Sequence, residues 1–429
     1  MEVLGFQIPN SACTVVIPSA PDLDNKVTII LGENGTKKST LLRALLDDSI
    51  QDPEQRRRNR YPSASTIFSS LPSQVIALSA IPNDRFPTKK RHGEDRIDGR
   101  YSAENYEYIG PKHNQNIVSR NQSLQALTGS ALLYPNPEES VRRLIERVSK
   151  KTGVPTTFDV ELSPVISRFN EHYKPNGRKA GLMDRLTGEE RSMVENALGY
   201  IHSKKQVVRL DLFAGLEVSP ELSGCLALAY KFGFLNFKSP KDFRESVSEN
   251  FSIEQFSAGQ WGLFSTLTTL ALRIQDNALI LIDEPESALH PRWQREYIDD
   301  LMAAVSHRRG CHIFLATHSP LIVGTVGNSS VELLTLRKDA AGEIYAELSN
   351  VPVGWQSNDI LEEKFELHST RSPEFVAQIE EILAIVATGL KGNKTKLKAK
   401  LSKLKPIVAC LPENDSMHGL ISSLIRLAD

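Results

Sequence analysis

Apolar runs of strand length punctuate this chain, and helical stretches lie between several of them. Lys26-Val-Thr-Ile-Ile-Leu31 is a β-branched run that reads as a buried strand, and Thr40-Leu-Leu-Arg-Ala-Leu-Leu46 beyond it opens a helix. A helical stretch from Phe256 to Leu272 precedes a second run, Ala278-Leu-Ile-Leu-Ile-Asp283. A helix from about Gln294 to Ser306 leads to a third, Cys311-His-Ile-Phe-Leu-Ala-Thr317. The fold class predicted is α/β, with a mixed sheet.

The core is expected in two pieces, a first lobe at 1–110 and a second at 251–345. Between them, 111–250 reads as a mainly helical insert, with helical stretches at Ser140–Lys151 and Thr187–Ser203. Neither stretch sustains the several heptads that a long coiled coil requires. Residues 346–429 read as a helical C-terminal region for assembly or partner contact, with a helix around Ser372–Thr388 and another after Pro412.

Chemistry collects at the ends of the apolar runs. Gly32-Glu-Asn-Gly-Thr-Lys-Lys-Ser-Thr40 keeps most of the G-x-x-x-x-G-K-[ST] phosphate-loop pattern, with Lys37 in place of its last glycine. In such a loop Asn34, Gly35, Thr36, Lys37, Lys38, Ser39 and Thr40 surround phosphate. Lys38 reaches the β/γ-phosphates of ATP, and the Ser39 hydroxyl ligates Mg²⁺. A residue with a Cβ held at φ > 0 costs roughly 1–2 kcal/mol, so Lys37 is expected to detune the loop and weaken hydrolysis. The second run ends in Asp283 and Glu284, the first placed to hold Mg²⁺ through water and the second to orient the attacking water. Ser257-Ala-Gly-Gln260 reads as a helix cap or as a second phosphate-binding helix start through Ser257, Gly259 and Gln260. His318 follows the third run.

Composition adds limits. At 429 residues and 40% hydrophobic, the chain is long enough for two or three subdomains, and a net charge of −1 gives no overall field toward nucleic acid or membrane. Any DNA or RNA contact must come from local patches. Two qualify: Arg56-Arg-Arg-Asn-Arg60, and the series Lys391, Lys394, Lys396, Lys398, Lys400, Lys403 and Lys405, whose intervening leucines also fit a solvated helix face. Four scattered cysteines without C-x-x-C spacing argue against a zinc site or disulfide framework and suit a reducing compartment. No run approaches the ~18 apolar residues of a membrane span, so a cytoplasmic location without membrane contact is expected.

The order of these elements resembles the soluble ABC-type ATPases of the OLD and RecF-like branch. Leu281-Ile-Asp-Glu-Pro-Glu-Ser-Ala-Leu-His-Pro-Arg-Trp-Gln294 and Ala316-Thr-His-Ser-Pro-Leu-Ile322 carry that likeness. Gln74–Phe86 and Tyr106–Pro111 look like ATPase subunits of bacterial anti-phage systems, the Septu type first and the PARIS type second. The resemblance implies that Ser257–Gln260 matches the signature segment serving a nucleotide held by the opposite subunit, and that His318 matches the switch histidine. It implies a homo-oligomer, a dimer or multiple of dimers, controlling a separate nuclease, with an HNH partner favoured over a Toprim one. No Asp-x-Asp pair follows residue 345, which argues against a nuclease in this chain. A glutamine is usual after the second core strand of the family; here Asn83, Asp84 and Arg85 stand there, with Asp84 the weak substitute. A non-hydrolysing ATP sensor and a RecF-like DNA-repair ATPase are the alternatives.

Overall fold

The computed structural model describes residues 1–20, 24–50, 62–81, 84–88, 105–114, 117–118, 120–165, 183, 186–202, 206–240, 253–324, 331–351, 354–365, 367, 369–389, 393–412 and 415–428. The chain forms two compact units, Met1–Ile360 and Leu361–Asp429.

A seven-stranded sheet organises the larger unit, in the spatial order Ile344–Asn350, Val331–Lys338, Asn25–Gly32, Cys311–Thr317, Ala278–Asp283, Gln74–Ser79 and Tyr106–Ile109. Six of these strands run parallel; only Ile344–Asn350 is antiparallel to its neighbour. The three apolar runs that predicted strands form adjacent central ones, buried along their whole length as a sheet covered on both faces requires. Strand Cys311–Thr317 lies between the other two, pairing Thr317 with Leu31 on one side and Ala316 with Asp283 on the other. The phosphate loop, the acidic pair and His318 therefore leave from neighbouring strand ends, where ligands of open parallel sheets collect.

Helix Lys38–Ser49 packs Leu41, Leu42, Leu45 and Leu46 into a core with Leu279, Leu281 and Phe314. Val3, Phe6 and Val15, from a small antiparallel sheet at the N-terminus, join that core. The boundary expected at residue 345 falls inside the seventh strand, because Ile344–Asn350 forms a hairpin with Val331–Lys338.

The insert holds more strand than expected. The predicted helical stretches lie on Glu139–Thr152 and Gly188–His202, yet Thr157–Pro164, Gln206–Asp211, Gly215–Leu216 and Leu235–Lys238 form a four-stranded antiparallel sheet. In Thr157–Pro164 the residues Phe158, Val160 and Leu162 are buried while those between them are half-buried, the period of two that a one-sided strand requires. Helix Glu139–Thr152 is tied to helix Pro291–Val305 by Arg147 and Lys151, which both pair with the buried Asp300.

The smaller unit is helical: Pro373–Ala387, Lys394–Val408 and Ser416–Ala428 share a core of Phe375, Ile379, Ile382, Leu397, Leu401, Leu404 and Ile421. Leu397, Leu401 and Leu404 are thus the inward stripe of the lysine-rich helix. Lys396, Lys398, Lys403 and Lys405 are exposed, and Lys400 pairs with Glu381. Arg56–Arg60, Lys391 and Asn83 lie outside the described residues.

Candidate nucleotide site

The loop leaves strand Asn25–Gly32 and reaches helix Lys38–Ser49 through two left-handed residues, Gly35 at φ 85 and Lys37 at φ 66. Position 37 does require the backbone freedom that glycine supplies, and a lysine occupies it under strain. Its side chain, however, does not stand beside Lys38. The Lys37 ammonium donates to the carbonyls of Pro9 at 3.2 Å and Asn10 at 3.1 Å, in the turn after the first strand. The Lys37 ammonium is thus held by the N-terminal turn. No side chain caps the helix start at Lys38, so its first N–H groups keep their capacity for an anion. Asn34 and Gly35 are exposed at the loop tip, Thr36 is buried with its hydroxyl donating to the Glu33 carbonyl, and Ser39 and Thr40 are half-buried.

Lys38 is curled inside the loop, its ammonium 2.8 Å from the Gly32 carbonyl, 3.0 Å from that of Glu33 and 3.4 Å from His318 Nδ1. Burial brings it down to about 8, against the opposing pull of Glu284 and Asp283. The Ser39 hydroxyl donates to Asp283 Oδ1 at 3.0 Å. Asp283 Oδ2 is buried with no hydrogen-bond partner among the described residues. Burial pushes this carboxyl up to about 7, the Ser39 bond opposing and the neighbouring Glu284 adding to the rise. Glu284 is itself left-handed, at φ 47, which turns its side chain to 3.4 Å from His318 Nε2. Burial, and then the charge of Lys38, hold His318 below the ordinary histidine range, so the ring is neutral near pH 7. Lys38, Ser39, Asp283, Glu284 and His318 thus gather at three strand ends in two sets of contacts, Ser39 with Asp283 and His318 with both Lys38 and Glu284.

Sequence reasoning passed over Glu286. Its Oε1 accepts from the Thr317 hydroxyl at 2.8 Å and from the His318 backbone N–H at 2.6 Å. Gln294 was likewise not singled out; its side-chain oxygen accepts from the Ser319 hydroxyl at 2.7 Å, and its amide donates to the Leu289 carbonyl. The available signal was the third carboxylate in Asp283-Glu-Pro-Glu286.

The signature segment forms a complete capping box. Ser257 Oγ accepts from the Gln260 N–H at 3.1 Å, and Gln260 Oε1 accepts from the Ser257 N–H at 2.8 Å. The Gln260 amide donates to the Thr152 carbonyl, tying the segment to the insert. Gly259 is buried because the Ala288 carbonyl lies where a Cβ would be, 2.1 Å from that position. Asp84, the substitute for the family's glutamine, is engaged within its own chain. Its carboxylate accepts from Lys112 at 2.9 Å, Tyr108 at 2.8 Å and the Phe86 N–H at 2.8 Å, which pins it to the edge strand Tyr106–Ile109 and to the short strand Lys112–Asn114 beyond it.

The family model described as "AAA domain, putative AbiEii toxin, Type IV TA system" matches residues 27–324, well over half of the chain and all of the cluster. The chain belongs to this AAA-domain family. It is 35% identical to the Septu protein PtuA of Bacillus thuringiensis over 115 residues, 26% of this chain and 28% of PtuA. It is 27% identical to the retron Vc95 probable ATPase of Vibrio cholerae serotype O1 biovar El Tor, with 87% of this chain and 81% of that protein covered. The chain thus matches less than a third of PtuA's length and most of the retron protein's. Among solved structures, cbiO1 of Clostridium perfringens, part of an ABC transporter complex, is similar at 12% identity and a TM-score of 0.32, covering 89% of this chain and 100% of that one. This member of the AAA-domain family has an α/β fold and is similar in sequence to the Septu protein PtuA and to the retron probable ATPase.

The donor set fits a nucleotide with a divalent cation. A serine hydroxyl and a carboxylate with one spare buried oxygen are hard donors of the kind that Mg²⁺ takes. The uncapped helix start and the Lys38 ammonium are complementary to polyphosphate. Among the described residues no helix is long and apolar enough to cross a membrane.

Proposed function

We propose that this chain is the ATP-binding and ATP-hydrolysing subunit of a bacterial anti-phage defence complex, acting with a separate nuclease. The enzymatic half of this reading is carried by the meeting of Lys38, Ser39, Asp283, Glu284 and His318 at three adjoining strand ends. Loop N–H groups of residues 34–40 and the Lys38 ammonium bind the phosphates. Ser39 and Asp283 hold Mg²⁺, which when bound neutralises charge on the phosphoryl oxygens. Glu284 orients and polarises the attacking water, and His318 steadies that arrangement beside the terminal phosphate. Likeness to the Septu and retron proteins supports the defence setting.

The sites are composite in this reading, with Ser257, Gly259 and Gln260 of a second copy completing each one in a homodimer or a multiple of dimers. ATP then acts as interface glue, and its loss changes the assembly and so the nuclease, of HNH type before Toprim type. The protein is cytoplasmic, and the helical residues 361–429 serve assembly or partner contact. A holding switch that binds ATP and turns it over poorly is the second reading, favoured by the strained Lys37.

Phosphate release by the purified protein and its Glu284→Gln variant tests the choice. The variant is expected to bind ATP normally and lose about 10²–10³-fold in turnover, the scale of losing one strong transition-state contact. Equal rates in the two proteins would replace the enzyme by the holding switch.

A further inference from the structure

Glu286 has no role in the five-residue cluster, yet its carboxylate reaches the segment that carries His318. One oxygen, Oε1, takes both the Thr317 hydroxyl and the His318 backbone N–H, at 2.8 and 2.6 Å. The other, Oε2, is buried with no hydrogen-bond partner among the described residues. A hydrogen bond to the His318 main-chain N–H fixes the direction in which its ring leaves the strand.

Glu286 belongs to the short helical turn Pro285–Ala288, which comes directly after the left-handed Glu284. The far end of that turn presents the Ala288 carbonyl to Gly259 of the signature helix, with no room for a side chain between them. The turn therefore touches two functional segments of this chain at once: the backbone of the switch histidine at one end and, at the other, the signature segment, which in the composite reading completes the site of a second copy. Downstream, Ser319 N–H donates to Thr317 Oγ1 at 2.9 Å, so the hydroxyl held by Glu286 also organises the next residue.

We propose that Glu286 is a positioning residue that holds His318 through its backbone and links it, by way of the Pro285–Ala288 turn, to the signature segment. This rests on the reading of the cluster as an ATP site for its consequence in turnover, though not for its geometry. A displacement of Gly259 that pushes on Ala288 moves the turn, and Glu286 passes that movement to the ring beside the terminal phosphate. The histidine then answers to the signature segment as well as to its own strand.

The test compares Glu286→Gln, which keeps an oxygen acceptor at the same reach, with Glu286→Ala, which removes it. The first readout needs no nucleotide: titration of the His318 ring by NMR in the nucleotide-free protein, with His318→Ala used to assign the signal. In the wild type the ring titrates below the ordinary histidine range, held there by burial and by Lys38, with Glu284 opposing. Glu286→Ala is expected to return it toward the ordinary range as the ring loses its fixed place, and Glu286→Gln to leave it near the wild-type value. A ring in Glu286→Ala that titrates as in the wild type overturns the proposal, provided that the variant melts cooperatively; a ring displaced equally by both substitutions also overturns it.

The second readout is phosphate release, where Glu286→Ala is expected to lose about tenfold to a hundredfold, the scale of a misplaced catalytic group. In a His318→Ala background the same substitution should cost nothing further. A full additional loss there would mean that Glu286 acts elsewhere, against the proposal. Absence of turnover in the wild type would count against the ATPase reading alone, because the ring titration stands independently of it.

Discussion

Two regions of the candidate nucleotide-binding machinery, the phosphate-loop corner and the signature corner, are built on opposite principles. At the phosphate-loop corner, left-handed Lys37 and Glu284 are strained, Lys38 is buried as a cation, and Asp283 keeps an oxygen without a partner among the described residues. At the signature corner, Ser257 and Gln260 satisfy one another's backbone groups, Gln260 reaches the Thr152 carbonyl, and Gly259 is packed against Ala288. The first corner holds unmet electrostatic demand, which a polyphosphate and a divalent cation would meet. The second is at rest within its own chain, and only the hydroxyl of Ser257 and the N–H groups at the helix start are left to offer. Strain and orphaned atoms mark where a ligand belongs more sharply than motif identity does, since both corners match motifs.

The largest effect should come from releasing the demand at the first corner. Asp283 has a folded-state value of about 7 against 3.8 for the free group, so between about pH 4 and 7 the folded state binds a proton that the unfolded state does not. Stability from this carboxyl is complete below about pH 4 and is lost as the pH rises to 7. Asp283→Asn removes that dependence. In nucleotide-free, metal-free protein it should melt higher than the wild type above pH 7, by an amount on the order of a few kcal/mol, and show little difference at pH 4. Adding Mg²⁺ and ATP should reverse the order, because ligand linkage stabilises the wild type and not the variant. Denaturant unfolding at pH 4, 6 and 8, with and without Mg²⁺ and ATP, reads both arms. A variant less stable than the wild type at pH 8 would show that the Ser39 bond outweighs the burial.

The second corner can be separated from its own capping role. Ser257→Gly keeps most of the cap, since glycine at an N-cap costs only a few tenths of a kcal/mol, while the hydroxyl is lost. The expected outcome is a nearly unchanged melting temperature and a turnover at least about tenfold lower, as for loss of a donor to developing phosphate charge. Unchanged turnover would reduce Ser257–Gln260 to a helix start and remove the ground for composite sites.

How much the sequence discloses about these corners depends on the kind of partner each residue has. Asp283, Glu284, Lys38 and Ser39 were legible because ionisable and hydroxyl groups at strand ends and loop positions have few other uses, and the strand order then brings them together. Ser257 and Gln260 were legible as a cap for the same reason, at the spacing that a capping box needs. The lodging of Lys37 was not, because its partners are the main-chain carbonyls of Pro9 and Asn10, and a carbonyl has no signature in sequence. Glu286 faces a similar obstacle, since half of its function is a bond to the His318 N–H. The insert's sheet was legible in the alternation of Phe158, Val160 and Leu162, but neighbouring helical stretches with stronger periodicity dominated the reading.

Lys37 offers the smallest effect and the finest discrimination between a turnover enzyme and a holding switch. Lys37→Gly removes roughly 1–2 kcal/mol of left-handed strain. Against that stand the added unfolded-state entropy of glycine, roughly 0.5–1 kcal/mol, and two lost hydrogen bonds from a partly exposed ammonium, each about 0.5–1.5 kcal/mol. At their midpoints these terms leave a net destabilisation of about 1 kcal/mol, and at their limits one of no more than about 3 kcal/mol. Turnover is the informative quantity. A loop freed from the Pro9 and Asn10 carbonyls and given glycine's backbone range can close more tightly on phosphate, and a rise of less than about tenfold in ATP hydrolysis is expected. A fall would mean that the tether to the N-terminal turn orders the loop for catalysis. Lysine at this position would then be part of the machinery, and the strain at Lys37 would be the cost of holding the loop in place.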